Sequence, residues 1–386
     1  MIKDIAVLSP LYVTVFWGIV LLSDYSKSKP KFLLGIFMLV AFLLYLSHSF
    51  YFTENYLAYF HTESLYLLTS LSVYPLYYCY IKLLTIERTF NLRNLIHFVP
   101  ALFFGLASFL TGLFFNDQQK IDYFEIYEMQ KDSIGSGFFT PVGMKNGIFT
   151  FCRMIFVLQV FFYLLNGTIL TQQHDRRIAN FYSNGEGKSL LWVRLVTLSF
   201  LATSIMSITF ALVGRNLFLH NPNLLLIPSF IFSSLLYLIG YLGNITKHVS
   251  VGTHQKMPPA SRLHPIDHEL LKEKIVRLFK EEQIFKNPDL LITNLSDTLQ
   301  TPSADVSQII NDEFKTNFSD FVNQYRISIA KELIGNNINS KLTIGAIAVE
   351  SGFGSLNAFA RVFKSYEGIT PEKYIEICRL RKFPAE

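Results

Sequence analysis

The stretch GFGSLNAFARVFKSYEGITP, residues 352–371, has the pattern of a short water-soluble helix that ends at a glycine. Apolar side chains recur in it at helical spacing and predict one buried stripe, formed by Phe359, Val362, Phe363 and Tyr366. The opposite face is polar and carries Asn357, Arg361 and Lys364. Such a helix folds only if another element covers its stripe, so the neighbouring residues decide its role.

A second helix is predicted immediately upstream, in TIGAIAVES at residues 343–351. Thr343 is suited to cap it, Ile344, Ile347 and Ala348 share one face, and Gly352 permits the left-handed turn that ends it. Two short helices joined by a tight turn indicate a helix-turn-helix unit, whose second helix fits a DNA major groove about 12 Å wide. An ordinary helical hairpin has the same pattern, so this unit alone leaves both interpretations open.

A second copy of the pattern lies about 53 residues upstream and favours DNA binding. Val306, Ile309 and Ile310 align with Phe359, Val362 and Phe363, and Leu295 and Ser296 align with Ile347 and Ala348. Thr301 is predicted as the cap of its second helix and Pro302 as the first helical residue. The outer face of that helix is predicted to present Ala304, Ser307, Gln308 and Asn311. Between the copies, an amphipathic helix that ends at Gly335 would hold two reading heads at a fixed separation.

These residues resemble the C-terminal signature of AraC/XylS-type transcription regulators. The matching positions are Ile347, Ala348, Gly352, Phe353, Ser355, Phe359, Arg361, Phe363, Lys364, Gly368, Thr370, Pro371 and Tyr374, and the likeness extends back to about residue 266. The resemblance implies a seven-helix DNA-binding domain with two helix-turn-helix units. It also implies that bases are read by Ala304, Ser307 and Gln308 in the first unit and by Leu356, Asn357 and Arg361 in the second. The first unit departs from the family pattern at Ser296, Gln300 and Thr301-Pro302, so its base contacts are less well defined.

The first 243 residues have a different character, because they contain nearly all the long apolar runs of a chain that is 51% hydrophobic and 15% aromatic. A membrane-spanning helix needs about 20 mostly apolar residues. Seven windows meet this requirement, at residues 5–22, 32–52, 64–84, 95–115, 148–170, 190–213 and 223–243. The sequence therefore predicts an all-α protein. Its domains are a seven-span bundle at residues 1–245, a linker at 246–265 and a double helix-turn-helix domain at 266–386.

Basic residues in the loops predict the orientation in the membrane. One set of alternate loops contains nine, namely Lys27, Lys29, Lys31, Lys82, Arg88, Arg93, Arg176, Arg177 and Lys188, whereas the other contains Lys120, Lys131, Lys145 and Arg215. This bias places the N-terminus outside and the C-terminal domain in the cytoplasm, in a multi-pass protein of the cytoplasmic (inner) membrane. The first run could be a cleaved secretory signal, but Asp4 offsets Lys3 and no small-residue cleavage pattern follows, which favours retention. The long acidic outer loop at 116–147 is expected to be either a lid or disordered.

No catalytic machinery is recognisable, and the protein is not expected to be an enzyme. The predicted windows contain no carboxylate, and neither HExxH nor GxSxG occurs. Cys79, Cys152 and Cys378 are scattered, and His264 and His268 have no third ligand, so neither a metal site nor a cofactor is expected. His48 and His97 are interpreted as packing residues.

The leading hypothesis is a membrane-embedded one-component transcription regulator. Its expected partners are promoter DNA, the lipid bilayer, a small-molecule or envelope signal, a second copy of the chain and RNA polymerase. Asn357 and Arg361 would contact bases and Lys364 a phosphate. The alternatives are a transport or membrane-enzyme module with an autoregulatory DNA-binding tail, and a tail that docks proteins without contacting DNA.

Overall fold

The structure, a computed structural model, describes residues 2–23, 28–86, 90–123, 139–184, 191–213, 222–245, 265–336 and 343–382. Within these ranges the regular structure is helical, and β-pairing is limited to one isolated antiparallel bridge between Tyr182 and Leu291. The prediction of an all-α protein is confirmed. The chain divides into two compact units, residues 1–172 with 190–248 and residues 173–189 with 249–386. The predicted linker, apart from Pro265, and residues 124–138 of the acidic outer loop lie outside the described residues.

The first unit contains a helix at each of the seven predicted windows. In chain order it comprises α1 (Ile2–Ser23), α2 (Lys29–Phe52), α3 (Tyr56–Thr85), a 3-10 turn (Leu92–Phe98) leading into α4 (Val99–Gly112), the short α5 (Asp117–Asp122), most of α6 (Pro141–Phe181), α7 (Leu191–Val213), a 3-10 turn (Pro222–Leu225) and α8 (Leu226–Ile245). Among the described residues, five stretches are long and apolar enough to cross a membrane: Lys3–Ser23, Lys29–Phe52, Leu92–Gly112, Pro141–Phe181 and Asn223–Ile245.

Helices α3 and α7 are not among those five. Helix α3 carries Pro75, several tyrosines and many hydroxyl side chains, which lower its hydropathy, and the apolar stretch of α7 is the shorter Val193–Thr209. On α4 the large apolar side chains Leu102, Phe103 and Leu106 are 58%, 63% and 58% exposed. Apolar surface of this kind is compatible with insertion into lipid. The number of spans and their orientation remain predictions.

Aromatic side chains dominate the core of the first unit. The Phe200 ring packs against the rings of Phe37, Tyr74 and Tyr77. Two of the buried tyrosine hydroxyls bond across helices, since the Tyr77 hydroxyl lies 2.8 Å from Thr197 Oγ1 and the Tyr74 hydroxyl bonds to Ser204. Unsatisfied polar groups would be costly here, so these bonds help to fix the helices in register.

The two histidines considered as packing residues do contact aromatic rings. The His48 ring packs on Tyr66, with a centroid separation of 5.0 Å. His97 Nδ1 lies 3.0 Å from the Tyr163 hydroxyl. Both side chains therefore contribute to helix packing, as the sequence indicated.

The first compact unit contains a buried ion pair that lies just outside the predicted windows, which themselves contain no carboxylate. The sequence assigns Glu63 and Lys145 to outer loops, but α3 begins at Tyr56 and α6 at Pro141, so both residues are helical. Lys145 Nζ lies 2.7 Å from Glu63 Oε2, and each side chain is 1% exposed. The Lys145 ammonium also lies 4.4 Å from the centre of the Phe60 ring, and the Tyr123 hydroxyl donates to Glu63 Oε1 at 3.3 Å.

The second unit contains the C-terminal helices together with the end of α6. It comprises α9 (Pro265–Lys280), a 3-10 turn (Ile284–Lys286), α10 (Ile292–Leu299), α11 (Ser303–Glu313), α12 (Phe318–Asn336), α13 (Ile344–Glu350), α14 (Leu356–Glu367) and α15 (Pro371–Lys382). The predicted loop at 171–189 is helical as far as Phe181, and α12 continues through Gly335 to Asn336 instead of ending at that glycine. Gly335 does not take the left-handed conformation that would have ended the helix.

Two hydrophobic clusters form the interior of the second unit. The first joins α9, α10, α11 and the start of α12, and includes Ile275, Phe279, Leu295, Val306, Ile309, Ile310 and Phe321. The second joins the rest of α12 to α13, α14 and α15, and includes Ile327, Ala330, Ile347, Phe353, Phe359 and Phe363. Because α12 contributes to both clusters, it holds the two helix-turn-helix units together.

Candidate nucleic-acid interface

The second helix-turn-helix unit consists of α13 and α14, and both helices are capped at their N-termini. Thr343 Oγ1 accepts a hydrogen bond from Ala346 N at 3.2 Å, as predicted, and Ser355 Oγ accepts one from Ala358 N at 3.0 Å. Gly352 has φ +90° and Gly368 ends α14 with φ +75°. Glycine adopts these values without the steric penalty that a β-carbon would bring.

The apolar stripe of α14 is buried except at its C-terminal end. Phe359 and Phe363 are fully buried, and Val362 packs at the edge of the same cluster. Tyr366 corrects the prediction because it is 38% exposed. Its hydroxyl reaches the edge of the domain and donates to Asp320 O at 3.1 Å. Helical spacing thus places Tyr366 on the correct side, but the covering helix does not extend over it.

The opposite face of α14 presents polar and basic groups. Asn357, Arg361 and Lys364 are exposed, and Leu356 at the start of the helix is 49% exposed. The acidic residue at the end of α14, Glu367, forms an ion pair with Lys331 of α12 at 3.0 Å. The accessible face of the second reading helix is therefore cationic, as contact with phosphates requires.

The first helix-turn-helix unit, α10 and α11, has buried apolar residues at the same positions as the second, but its turn is different. Leu295, Val306, Ile309 and Ile310 are at most 1% exposed. Gln300 adopts a left-handed conformation with φ 50° and ψ 40°, the conformation suited to the glycine of the family pattern. Ser296 Oγ donates to Thr301 O at 2.6 Å across this turn. The departures at Ser296 and Gln300 are therefore compatible with a helix-turn-helix unit.

The start of α11 corrects the predicted cap. Pro302 has ψ 137°, so it occupies the N-cap position, and the first helical residue is Ser303. The Thr301 hydroxyl donates to Leu299 O at 3.0 Å and does not cap α11. Proline lacks an N–H, and its extended ψ delays the helix by one residue.

The predicted reading residues of the first unit differ in accessibility. Gln308 is exposed, Ala304 is half-buried and Ser307 is only 6% exposed. Asn311 Nδ2 lies 3.5 Å from Ser307 Oγ. Helix α11 contains no lysine or arginine, in contrast to α14. The first reading face is thus smaller and lacks the positive charge of the second.

Arg326 is a structurally central residue that the sequence reasoning missed. Its side chain is 1% exposed, its Nε donates to Phe285 O at 2.8 Å and its Nη2 donates to Asn287 O at 2.7 Å. Burial lowers the pKa of the guanidinium to about 10, so it remains charged at neutral pH. The guanidinium also lies 5.6 Å from the centre of the Phe353 ring, in the second helix-turn-helix unit. A charged residue four positions after Val322, on the buried stripe of α12, was the available sequence signal.

Metal-ligand side chains do not converge within the described ranges, where no group of three His, Cys, Asp or Glu residues is placed to hold an ion. His264, one of the two histidines considered in the sequence, lies outside them. The expectation that the protein has no metal or cofactor stays a prediction.

Two helix-turn-helix units on a shared central helix define a double helix-turn-helix DNA-binding domain. Residues 295–377 match the family model described as "Helix-turn-helix domain", an AraC-type domain. Residues 295–377 are therefore an AraC-type helix-turn-helix domain, and this match supports DNA-binding transcription regulation as the biochemical class. Comparison with curated proteins and with solved structures gives no match.

Proposed function

We propose that this protein is a membrane-embedded one-component transcription regulator that binds promoter DNA sequence-specifically under the control of a signal sensed by its N-terminal helices. The observation that supports this most directly is the exposed polar face of α14 on a capped helix-turn-helix unit. The apolar helices of the first compact unit, formed by residues 1–172 and 190–248, support the membrane location. The proposal includes no enzymatic step.

Base reading is assigned mainly to α14. The Asn357 amide can donate to and accept from the edge of an adenine, and the Arg361 guanidinium can bond to a guanine or a phosphate. Lys364 is assigned to a phosphate and Leu356 to apolar contact with a thymine methyl. In the first helix-turn-helix unit Gln308 and Ala304 are assigned to base contacts. The buried Ser307 contributes least to base reading. Each good base contact is worth about 1–3 kcal/mol of discrimination.

The proposed location is the cytoplasmic membrane, with the N-terminus outside and the DNA-binding domain in the cytoplasm. The distribution of basic residues in the loops supports this orientation. The proposed partners are promoter DNA, RNA polymerase and a second copy of the chain. The second copy is proposed because two linked domains on adjacent half-sites raise each other's effective concentration. A cysteine at position 300 (Gln300→Cys) should resist membrane-impermeant maleimide in intact cells, and its labelling there would refute the orientation.

The experiment for DNA binding uses the full chain in lipid nanodiscs. A random-sequence duplex pool is enriched on the protein, and the selected duplex is titrated with the parent, Asn357→Ala and Arg361→Ala variants. We expect both substitutions to reduce discrimination between the selected and a scrambled duplex by about 5- to 150-fold, the equivalent of 1–3 kcal/mol. The matched control is Lys373→Ala, which removes an exposed cation of α15 that pairs with Glu376 at 2.8 Å. Unchanged discrimination in both α14 variants would refute the site assignment.

A second candidate function is a transport module with an autoregulatory DNA-binding tail, and the buried Glu63–Lys145 pair favours it. Ionisable residues buried among membrane helices often mark ion or substrate pathways. Uptake of candidate substrates by vesicles containing the full chain tests this directly. Uptake that Glu63→Gln abolishes would support transport, and its absence across ions, amino acids and sugars leaves regulation as the function.

A further inference from the structure

Residues 181–184, which are the last residue of helix α6 and the three residues after it, are docked on the DNA-binding domain. This docked segment is part of the compact unit formed by residues 173–189 and 249–386. In the sequence it belongs to the predicted loop at 171–189, between two predicted membrane spans; in the structure α6 ends at Phe181 and α7 begins at Leu191. A loop of the membrane region thus supplies a piece of the domain that reads DNA.

Main-chain pairing attaches the docked segment to the start of the first helix-turn-helix unit. Tyr182 forms an antiparallel bridge with Leu291, and Ser183 N donates to Leu290 O at 3.0 Å. Leu291 is the N-cap residue of α10, and the Phe181 ring packs against the first hydrophobic cluster. The segment therefore fixes the point at which the first unit begins.

Ser183 also connects the docked segment to the central helix α12. Arg326 Nη2 lies 3.3 Å from Ser183 Oγ, and Ser319 Oγ donates to Ser183 O at 3.2 Å. Ser183 is itself only 1% exposed. Since Arg326 holds the backbone at Phe285 and Asn287 and lies near the Phe353 ring, the serine completes a polar cluster that touches both helix-turn-helix units.

The docked segment leaves the reading faces accessible. Gln308 on α11 and Asn357 and Arg361 on α14 are all exposed while Ser183 is docked. On the far side, a β-carbon at Gly354, in the turn before α14, would lie 3.7 Å from Asn184 Nδ2, so the segment also approaches the second turn. An inhibitory segment would cover the reading faces, whereas this one braces the elements behind them.

We propose that docking of residues 181–184 is the contact through which the membrane region controls DNA binding, and that the docked state is the state competent to bind. This inference rests on the proposed function. Residues 181–184 are continuous with α6, so a signal that displaces the C-terminal end of this helix withdraws Ser183 from Arg326 and Leu290. The two helix-turn-helix units then lose the contact that sets their separation. Affinity for an operator that spans both of them falls. The coupling is a difference in docking between two states of one element.

The test uses the full chain in nanodiscs, with Cys378→Ser in every variant to remove the half-exposed thiol. Ser183→Pro removes the N–H donated to Leu290 and undocks the segment. Tyr182→Cys with Leu291→Cys locks it, because antiparallel bridge partners have α-carbons about 4.5–5.5 Å apart, within the range that a disulfide spans. The probe is the duplex enriched from a random pool on the parent protein.

The lock should form under mild oxidation and leave affinity for the probe within about twofold of the parent. The undocked Ser183→Pro variant should bind about tenfold more weakly, a typical allosteric coupling. Oxidation of a chain carrying Ser183→Pro together with the lock should restore binding, which distinguishes undocking from misfolding. The matched controls are the single variants Tyr182→Cys and Leu291→Cys, whose affinity should not respond to oxidation.

Three results would overturn the inference: failure of the lock to form, unchanged or tighter binding by Ser183→Pro, or no recovery on locking. These differ from failure of the proposed function, in which the parent itself would enrich no sequence from the pool. A chain that binds its selected duplex equally well docked and undocked would keep the regulator assignment and lose only the docking mechanism.

Discussion

Gly352 lies directly against the backbone of Lys286. A β-carbon added at Gly352 would come within 2.7 Å of Lys286 Cα and 2.6 Å of Phe285 O, and the residue has φ +90°. The turn of the second helix-turn-helix unit is therefore closed on the 3-10 turn that precedes the first unit. Both the backbone conformation and the close approach require glycine at this position.

Gly352→Ala should destabilise the DNA-binding domain by about 2 kcal/mol or more. A non-glycine residue in a left-handed conformation costs about 1–3 kcal/mol, and the backbone clash adds to this cost. The measurement is native-state amide hydrogen exchange of Ile347 and Ala348, which report local opening of α13.

Gln300→Gly is the matched control for that substitution, because Gln300 occupies the corresponding turn of the first unit with φ 50°. Relief of the left-handed strain should stabilise the first helix-turn-helix unit slightly, by about 0.5–1 kcal/mol. Equal destabilisation by the two substitutions would contradict the assignment of the close backbone approach to Gly352.

The local features of the second helix-turn-helix unit could be predicted because they depend on residues a few positions apart. The Thr343 cap, the turn at Gly352 and the buried Phe359 and Phe363 all follow from helical spacing and backbone preference. The errors at Tyr366 and Thr301 are of a different kind. Whether a stripe is covered along its whole length, and on which side of a proline a helix begins, depends on the neighbouring elements.

The long-range contacts could not be predicted from spacing. Arg326 and Ser183 are far apart in the sequence, and neither lies in a pattern that names the other as its partner. Glu63 and Lys145 were assigned to loops because the hydropathy windows begin just after them, whereas α3 and α6 begin several residues before those windows. A charged residue just outside an apolar window is therefore the signal that would have prompted a search for a partner.

The buried Glu63–Lys145 pair should show strong coupling in a double-mutant cycle. Glu63→Ala or Lys145→Ala leaves one buried charge without its partner, and each should cost about 3–5 kcal/mol. The double variant Glu63→Leu/Lys145→Met removes both charges at similar volume and should be more stable than either single variant. Thermal unfolding of the detergent-solubilised full chain gives the comparison.

The pair Lys3–Glu54 provides the surface control for this cycle. Lys3 Nζ lies 2.6 Å from Glu54 Oε1, but the two side chains are 25% and 50% exposed. Its removal should change stability by about 1 kcal/mol or less. If the single variants at Glu63 and Lys145 behave like this surface pair, their side chains are not buried from solvent as the structure places them.

The two reading helices should differ in the salt dependence of DNA binding. Lys364→Ala on α14 should weaken binding to selected and scrambled duplexes alike and reduce the slope of log K against log salt by about 0.9. Gln308→Ala on α11 should lower affinity for the selected duplex and leave the slope unchanged, because it removes no positive charge. Titrations at several salt concentrations measure both quantities. A change of slope in Gln308→Ala, or none in Lys364→Ala, would contradict the division between phosphate and base contacts.

The N-termini of the two reading helices should respond differently to loss of a hydroxyl. Ser355 Oγ accepts a hydrogen bond from Ala358 N, so Ser355→Ala leaves an unpaired N–H at the start of α14 and should cost about 1 kcal/mol. The Thr301 hydroxyl donates to Leu299 O and caps no helix, so Thr301→Ala should cost about 0.5 kcal/mol or less. Hydrogen exchange of the α14 and α11 amides in the full chain distinguishes these outcomes. An equal cost at both positions would mean that α11 is capped by Thr301 after all, and that its first residues begin as the sequence alone predicts.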